Sequence, residues 1–305
     1  MTPAVQENNS EIARKAEEFL EYLQVERGSS PLTIRNYRHY LRRFNNWLES
    51  QNIRQTLKDI NQDIVRGYRV YLANLGLGRR TQGYHLIALR SFLKWLRKEG
   101  KEVFGFEQIE VPKFESSKLF FLKGSDVEGL LNVPDIKKVQ GKRDRAILEV
   151  FYATGLRVSE LTSLNRDSLV QGRSQLLVPP VSGETSRIVF LSSRAFDWVD
   201  AYLKSRKDNA KALFISHKRD PSRLTPRSVQ RMIKKYTKKI GLSSDVTPKT
   251  LRHSFATDLL IAGADIRSVQ EMLGHKNIST TQIYTHVTNR QLRDVHSAFH
   301  GKGGK

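Results

Sequence analysis

The chain has no cysteine, which removes disulfide frameworks, thiolate zinc sites and thiol nucleophiles at once and fits a reducing compartment. No run of about 18 apolar residues occurs, and the opening stretch MTPAVQENNSEIARK is polar, with acids where a secretory signal would carry an apolar core. A membrane span and a signal peptide are therefore not expected, and a cytoplasmic location is. Carboxylate motifs of the D-x-D or D-x-[DN]-x-[DN]-G kind are also missing, so a metal-dependent nuclease is a poor fit and no metal ligand or cofactor is expected. Positive charge is what the chain has in excess: 52 Lys and Arg against 31 Asp and Glu, a net +21. In a chain with 38% hydrophobic residues, ample for a folded core, that excess points first to nucleic acid as partner.

A length of 305 residues implies two domains. Charge divides unevenly between them. Residues 1–112 hold 18 Lys and Arg against 13 Asp and Glu, and the remainder holds 34 against 18, so the C-terminal part is the stronger polyanion binder. The first hundred residues read as four helices. Ile12, Ala16, Phe19, Leu20 and Leu23 form one stripe after the cap candidate Ser10. Ser30-Pro31 opens a second helix with Tyr37, Leu41, Phe44 and Leu48 on one side and Arg35, Arg38, Arg42 and Arg43 on the other. Helices over 59–75 and 81–96 follow, the last with Leu86, Leu89, Phe92, Leu93 and Leu96 inward. After Gly100 the period is lost, and residues 101–117 read as an extended linker between a helical domain (1–100) and a second domain (118–305). The second domain reads as helices over 126–131, 142–154, 157–164, 193–205, 226–240, 248–262 and 265–273, with a β-hairpin over 175–181 and 187–191. The fold class expected is mainly α with one small β-sheet in the C-terminal domain.

Four places could carry chemistry. Arg157 follows Gly155 at a helix start in ATGLRVSEL, where a guanidinium and free backbone N–H groups can share an anion. Lys249 and Arg252 in TPKTLRH lie three apart in the first turns of a helix primed by Thr247-Pro248. Two cations there oppose the helix dipole, a local cost that a bound phosphate relieves. His275 follows Gly274, and Tyr284 comes nine residues later in STTQIYTHV. Taken singly, each is also what a surface arginine, a cap or a core tyrosine looks like. Together they supply cations for nonbridging oxygens, a nucleophile and a proton carrier, the parts that metal-free phosphoryl transfer by tyrosine needs.

ATGLRVSEL, LRHSFAT and LGHKNISTTQIYTHV, in this order, resemble the tyrosine recombinases of the lambda-integrase class, most of all the Xer branch and related mobile-element integrases. SSPLTIRNYRHYLRRF extends the resemblance into the first domain. The resemblance implies a two-domain DNA clamp, a helical SAM-like core-binding domain joined to a catalytic domain, that cuts and rejoins strands through a 3′-phosphotyrosyl intermediate without metal or ATP. By it, Arg157 and Arg252 hold the scissile phosphate, Lys249 stands where the family commonly has histidine, His275 takes the position of the histidine or tryptophan before the nucleophile, and Tyr284 is the nucleophile. It further implies a specific duplex site with inverted arms and dimers and tetramers assembled on it, and leaves open whether an accessory protein takes part. Arg35, Arg38, Arg42, Arg79, Arg80, Thr81 and Arg227 are the candidate DNA contacts. The segment Gln291 to Phe299, with Leu292, Val295 and Phe299 at helical spacing, is the candidate for docking on a neighbouring protomer.

One departure stands out. The family carries a lysine on the hairpin between the two arginine motifs, and aligning Arg187 with the end of that motif puts Ser182 in its place; no lysine occurs between Gln171 and Ser193. Arg173 or Arg187 substitutes, or Lys249 takes over the acid role, or the chain is a DNA-binding protein of this fold with weak or lost catalysis. A type IB topoisomerase shares the chemistry, but the helical first domain and the Xer-like C-terminal motifs argue against it.

Overall fold

Most of the long helices begin where a side-chain oxygen can take up the free N–H groups of a first turn. The computed structural model describes residues 10–53, 56–112, 120–170, 173–180, 186–217, 220–243, 245–274 and 280. Ser10 accepts from the amide of Ala13 and opens α1 (Glu11–Val25). Ser30 accepts from Thr33 and opens α2 (Pro31–Ser50), with Pro31 in the first turn. Asn61 caps α3 (Gln62–Asn74), which starts three residues later than its periodicity predicts because Leu57–Asp59 form a tighter 3-10 turn first. The fourth helix, α4 (Arg79–Lys98), starts two residues earlier, after Gly78 and without a side-chain cap.

By chain contacts the molecule divides into two units, 1–117 and 118–305. In the first, Phe19, Phe44, Tyr68, Phe92 and the leucines of α4 make one aromatic-rich core. The stretch read as linker contributes to it. Ile109 is buried there, and Val103, Phe104, Phe106 and Val111 pack beside it around a short 3-10 turn (Phe106–Gln108). Burying those side chains gives residues 103–111 a fixed path that no helical or strand period announces.

A polar group sits inside this unit as well. His85 of α4 is buried, with Tyr68 Oη 3.0 Å from Nδ1 and Arg43 Nη1 3.5 Å from Nε2. Arginine can only donate, so Nε2 accepts and Nδ1–H donates to the phenol, the neutral tautomer. Burial first, then the charges of Arg43 and His39, push this imidazole down to about 4 from its ordinary 6.5. The unfolded chain therefore binds the extra proton between those values, and the stability due to the neutral ring, complete above pH 6.5, drains away as pH falls toward 4. The melting temperature of His85→Asn should accordingly fall less steeply with acidification than that of the wild type; equal slopes would mean that His85 is not held neutral.

The second unit contains α5 (Gly124–Leu131), α6 (Val139–Thr154), α7 (Val158–Ser163), the strands β1 (Gln175–Val178) and β2 (Arg187–Phe190), α8 (Ser193–Lys204), α9 (Pro226–Lys239), α10 (Pro248–Ile261) and α11 (Ile266–Leu273). The strands pair antiparallel, Gln175 opposite Phe190 and Val178 opposite Arg187. Central to the unit is α6, which packs on α8 and α10 and buries Ala146, Ile147, Leu148, Val150 and Phe151. Four of its charged residues, Arg143, Asp144, Arg145 and Glu149, are buried and paired. Asp144 accepts from Arg143 and from the Tyr236 hydroxyl at 2.7 Å, and Glu149 accepts from Arg145 and Arg194, as buried charge requires. Among the described residues no helix is long and apolar enough to cross a membrane.

Candidate active site

The segment after α6 turns sharply because Gly155 adopts φ +60° and ends the helix. A Cβ there would stand 2.4 Å from the Phe255 ring and 2.9 Å from Leu273, so only glycine lets α10 and α11 approach this closely. Arg157 then occupies the N-cap position of α7, and Glu160, three residues on, lies in its first turn. That spacing is the capping-box spacing: the Glu160 carboxylate accepts the Arg157 backbone N–H at 2.6 Å.

Around Glu160, only 1% exposed, three arginines from distant parts of the unit converge. Arg157 Nη1 donates to it at 2.8 Å, Arg187 of β2 donates twice, at 2.7 and 3.0 Å, and Arg252 Nη1 of α10 lies 3.9 Å away. Backbone carbonyls complete the frame. Arg252 donates to Gly155 O and Leu273 O, both at 2.8 Å, and Arg157 to Gly274 O at 3.1 Å. Burial raises the Glu160 carboxyl, but the hydrogen bonds from Arg187 and the Arg157 amide, with the charges of both arginines, outweigh it and hold the group below its usual range. It stays an anion. One carboxylate among three guanidinium groups leaves the cluster positive, as a phosphate site requires.

Of the residues singled out from the sequence, Arg157 and Arg252 are thus brought together. Lys249 is exposed in the first turn of α10, behind the cap Thr247 and Pro248. His253, one turn further, is pushed down to about 4 by burial and then by the charges of Lys249 and Arg252, so it is a neutral ring at physiological pH. His275, Tyr284, Ser182 and the segment 291–299 lie outside the described residues. No group of three or more His, Asp or Glu among the described residues could hold a metal.

The candidate DNA contacts fall on surfaces. Arg35 and Arg42 are exposed on α2, and Arg79, Arg80 and Thr81 are exposed in the first turn of α4. Arg38 is exposed too, but it makes a two-pronged ion pair with Glu17 of α1, the closest distance being 2.8 Å. Arg227 begins a longer feature than the sequence motifs indicated: with Arg231, Lys234 and Lys238 it forms an exposed stripe along α9, at i, i+4, i+7 and i+11. Lys235 and Lys239 flank it and the helix carries no acid. Such like-charge spacing destabilises an isolated helix and invites a polyanion. The stripe is legible in PRSVQRMIKKYTKK. Glu160 and Arg187 were harder to find, since their importance comes from contacts 27 residues apart.

Residues 121–291 match the Phage integrase family, and residues 16–100 match the phage integrase N-terminal SAM-like domain. Tyrosine recombinase XerD of Lacticaseibacillus casei is 38% identical over 293 residues, covering 94% of this chain and 98% of its own. Tyrosine recombinase XerC of Pelotomaculum thermopropionicum is 37% identical over 296 residues, covering 92% and 96%. Among solved structures, XerH site-specific recombinase bound to palindromic difH substrate, a post-cleavage complex, shares the fold with a TM-score of 0.71 at 22% identity, over 92% of this chain and 84% of that one. With the arginine cluster formed from ATGLRVSEL and LRHSFAT and these matches spanning both units, the chain belongs to the phage integrase family of tyrosine recombinases.

Proposed function

We propose that this site-specific recombinase performs its strand exchange at the arginine cluster around Glu160, with the Tyr284 hydroxyl as nucleophile. The tyrosine oxygen attacks the scissile phosphorus and forms a 3′-phosphotyrosyl bond. The bond to the 5′-oxygen breaks, and that oxygen leaves with a proton as a free hydroxyl. A 5′-hydroxyl from the partner strand reverses the step, so bond energy is conserved and neither metal nor ATP is consumed. Arg157 and Arg252 hold the nonbridging oxygens and offset the charge that grows on the phosphorane. His275 takes part from the segment just beyond Gly274. The observation that carries this reading is the convergence of three guanidinium groups on one buried carboxylate, a costly arrangement that a solely structural cluster does not need.

The missing hairpin lysine then has one replacement. Both terminal nitrogens of Arg187 are engaged by Glu160, and guanidinium groups, Arg173 included, give up protons too reluctantly to act as acids. Lys249, at the positive end of α10, is the donor to the leaving oxygen. A binding-only protein of this fold is the less supported reading, since Arg157 and Arg252 are brought together beside Glu160.

The helical domain, residues 1–100 of the first unit, serves as the core-binding domain and the second unit, 118–305, as the catalytic domain, with Arg35, Arg38, Arg42, Arg79, Arg80, Thr81 and the α9 stripe on DNA. Two inverted arms seat a dimer and two sites a tetramer, because one tyrosine cuts one strand and exchange between duplexes requires four cuts. Segment 291–299 docks each protomer on its neighbour. A location in the cytoplasm, with the DNA, goes with this role. Incubation with a nicked suicide duplex should yield a covalent adduct on a denaturing gel, and its absence would overturn the reading. Changing Arg231, Lys234 and Lys238 to Gln should flatten the dependence of log K on log salt by about 0.9 for each phosphate no longer neutralised; an unchanged slope would take α9 off the DNA.

A further inference from the structure

The hairpin residue Arg187 has no role in the reaction outlined above, yet its side chain is closely held in the cluster. It gives both terminal nitrogens to Glu160. It also lies flat against Gly274. That glycine adopts φ +65° at the end of α11, and a Cβ on it would stand 2.9 Å from the guanidinium carbon and 3.0 Å from Nε. Nε is itself buried and has no hydrogen-bond partner among the described residues. An unsatisfied buried N–H is costly, and it is tolerated here because the two hydrogen bonds to Glu160 dictate where the plane of the guanidinium lies. Arg187 therefore joins three parts at once: β2, which carries it, the carboxylate that also anchors Arg157, and the turn from which the chain continues to His275.

We infer that Arg187 is a positioning residue for strand cleavage, acting through Glu160 and Gly274 to fix the Arg157 guanidinium and the turn at Gly274 for the scissile phosphate. It does not replace the absent hairpin lysine, because its donors face Glu160 and Gly274. The connections explain how it would act. Glu160 Oε1 accepts from both Arg157 and Arg187, so removing Arg187 frees the carboxylate to follow Arg157 alone. Arg157 in turn donates to Gly274 O, and loss of the flat guanidinium beneath that glycine loosens the same turn from its other side. Displacements of about 1 Å in such a site cost on the order of 100-fold in rate.

This inference rests on the recombinase reading, and its test separates the two. Single-turnover adduct formation on the suicide duplex, with protein saturating, should slow about 100-fold in Arg187→Ala while the Kd for the duplex changes by less than about threefold. Arg187→Lys, which keeps the charge and one hydrogen bond, should recover part of that loss. In a Glu160→Gln background the Arg187→Ala change should cost less than about threefold more, because the two act as one unit. Hydrogen exchange over residues 266–274 should speed up in Arg187→Ala, a readout that needs no catalysis. Should Arg187→Ala fail to fold, Arg187→Lys carries the same cycle. Independent, multiplying effects of the two substitutions, a wild-type cleavage rate in Arg187→Ala, or unchanged exchange at 266–274 would each overturn the positioning role. No adduct with the wild type would instead overturn the recombinase reading, and exchange would then still decide whether Arg187 holds the turn.

Discussion

Tyr284→Phe should eliminate the covalent protein–DNA adduct entirely while leaving affinity for the intact duplex almost unchanged. Only a hydroxyl is lost, so the charge that binds DNA is untouched, but without that oxygen there is no atom to attack phosphorus. The other tyrosines of the second unit are poor substitutes for reasons visible in their surroundings. Tyr152 donates to Asp258 at 2.9 Å, and burial and then that bond push its phenol up to about 12. The Tyr236 hydroxyl donates to buried Asp144, and it too is raised, by burial first and then by that bond. Tyr202 is fully buried, with its oxygen 3.2 Å from His217 Nε2. A phenol that is buried, and all the more one bonded to a carboxylate, loses its proton with difficulty, which favours the proposal of Tyr284 as nucleophile. Denaturing gel analysis of the suicide-duplex reaction checks this, and an adduct that persists in Tyr284→Phe would place the nucleophile elsewhere.

Arg252→Ala should lower the cleavage rate by about a thousandfold, the scale of removing one oxyanion donor or more from a preorganised site. Its guanidinium is nearly buried and is oriented by Gly155 O and Leu273 O, so it meets a phosphate with little reorganisation. The same hydrogen bonds give it a structural share. Deleting it leaves two carbonyls without these donors and should cost on the order of 1–3 kcal/mol of stability. Arg252→Lys separates the two roles, since one ammonium cannot span both carbonyls and hold a phosphate in the same plane. Thermal melts and single-turnover cleavage measured together should show the Lys variant folded and still slow by about a hundredfold or more. Wild-type cleavage in either variant would remove Arg252 from the site.

The helical register was legible throughout because it depends on neighbours a few residues apart. The stripe from Ile12 to Leu23 and that of α4 are buried as their spacing predicts, and Ser10 and Ser30 cap the helices they precede. The hairpin was legible too, from its β-rich runs on either side of a turn. The arginines were visible as motifs, since Arg157 comes just after the glycine that ends α6 and Arg252 lies in the second turn of α10. Other features had no local sign. Residues 103–111 carry no period, and only a core that accepts Ile109 fixes their path. Arg38 reads like Arg35 and Arg42 until α1 brings Glu17 beside it.

By itself the sequence determined which segments are helical, to within a few residues at their ends, which faces are apolar and how large the positive excess is, and it nominated side chains for phosphoryl transfer, since all of these are read from residue type and short-range spacing. Only the tertiary structure decided that Glu160 stays ionised at the centre of the site and that Arg187 belongs to it. A buried carboxylate is costly until separate elements bring enough donors around it. Those donors come from α7, β2 and α10, which meet only when the core of the second unit has formed.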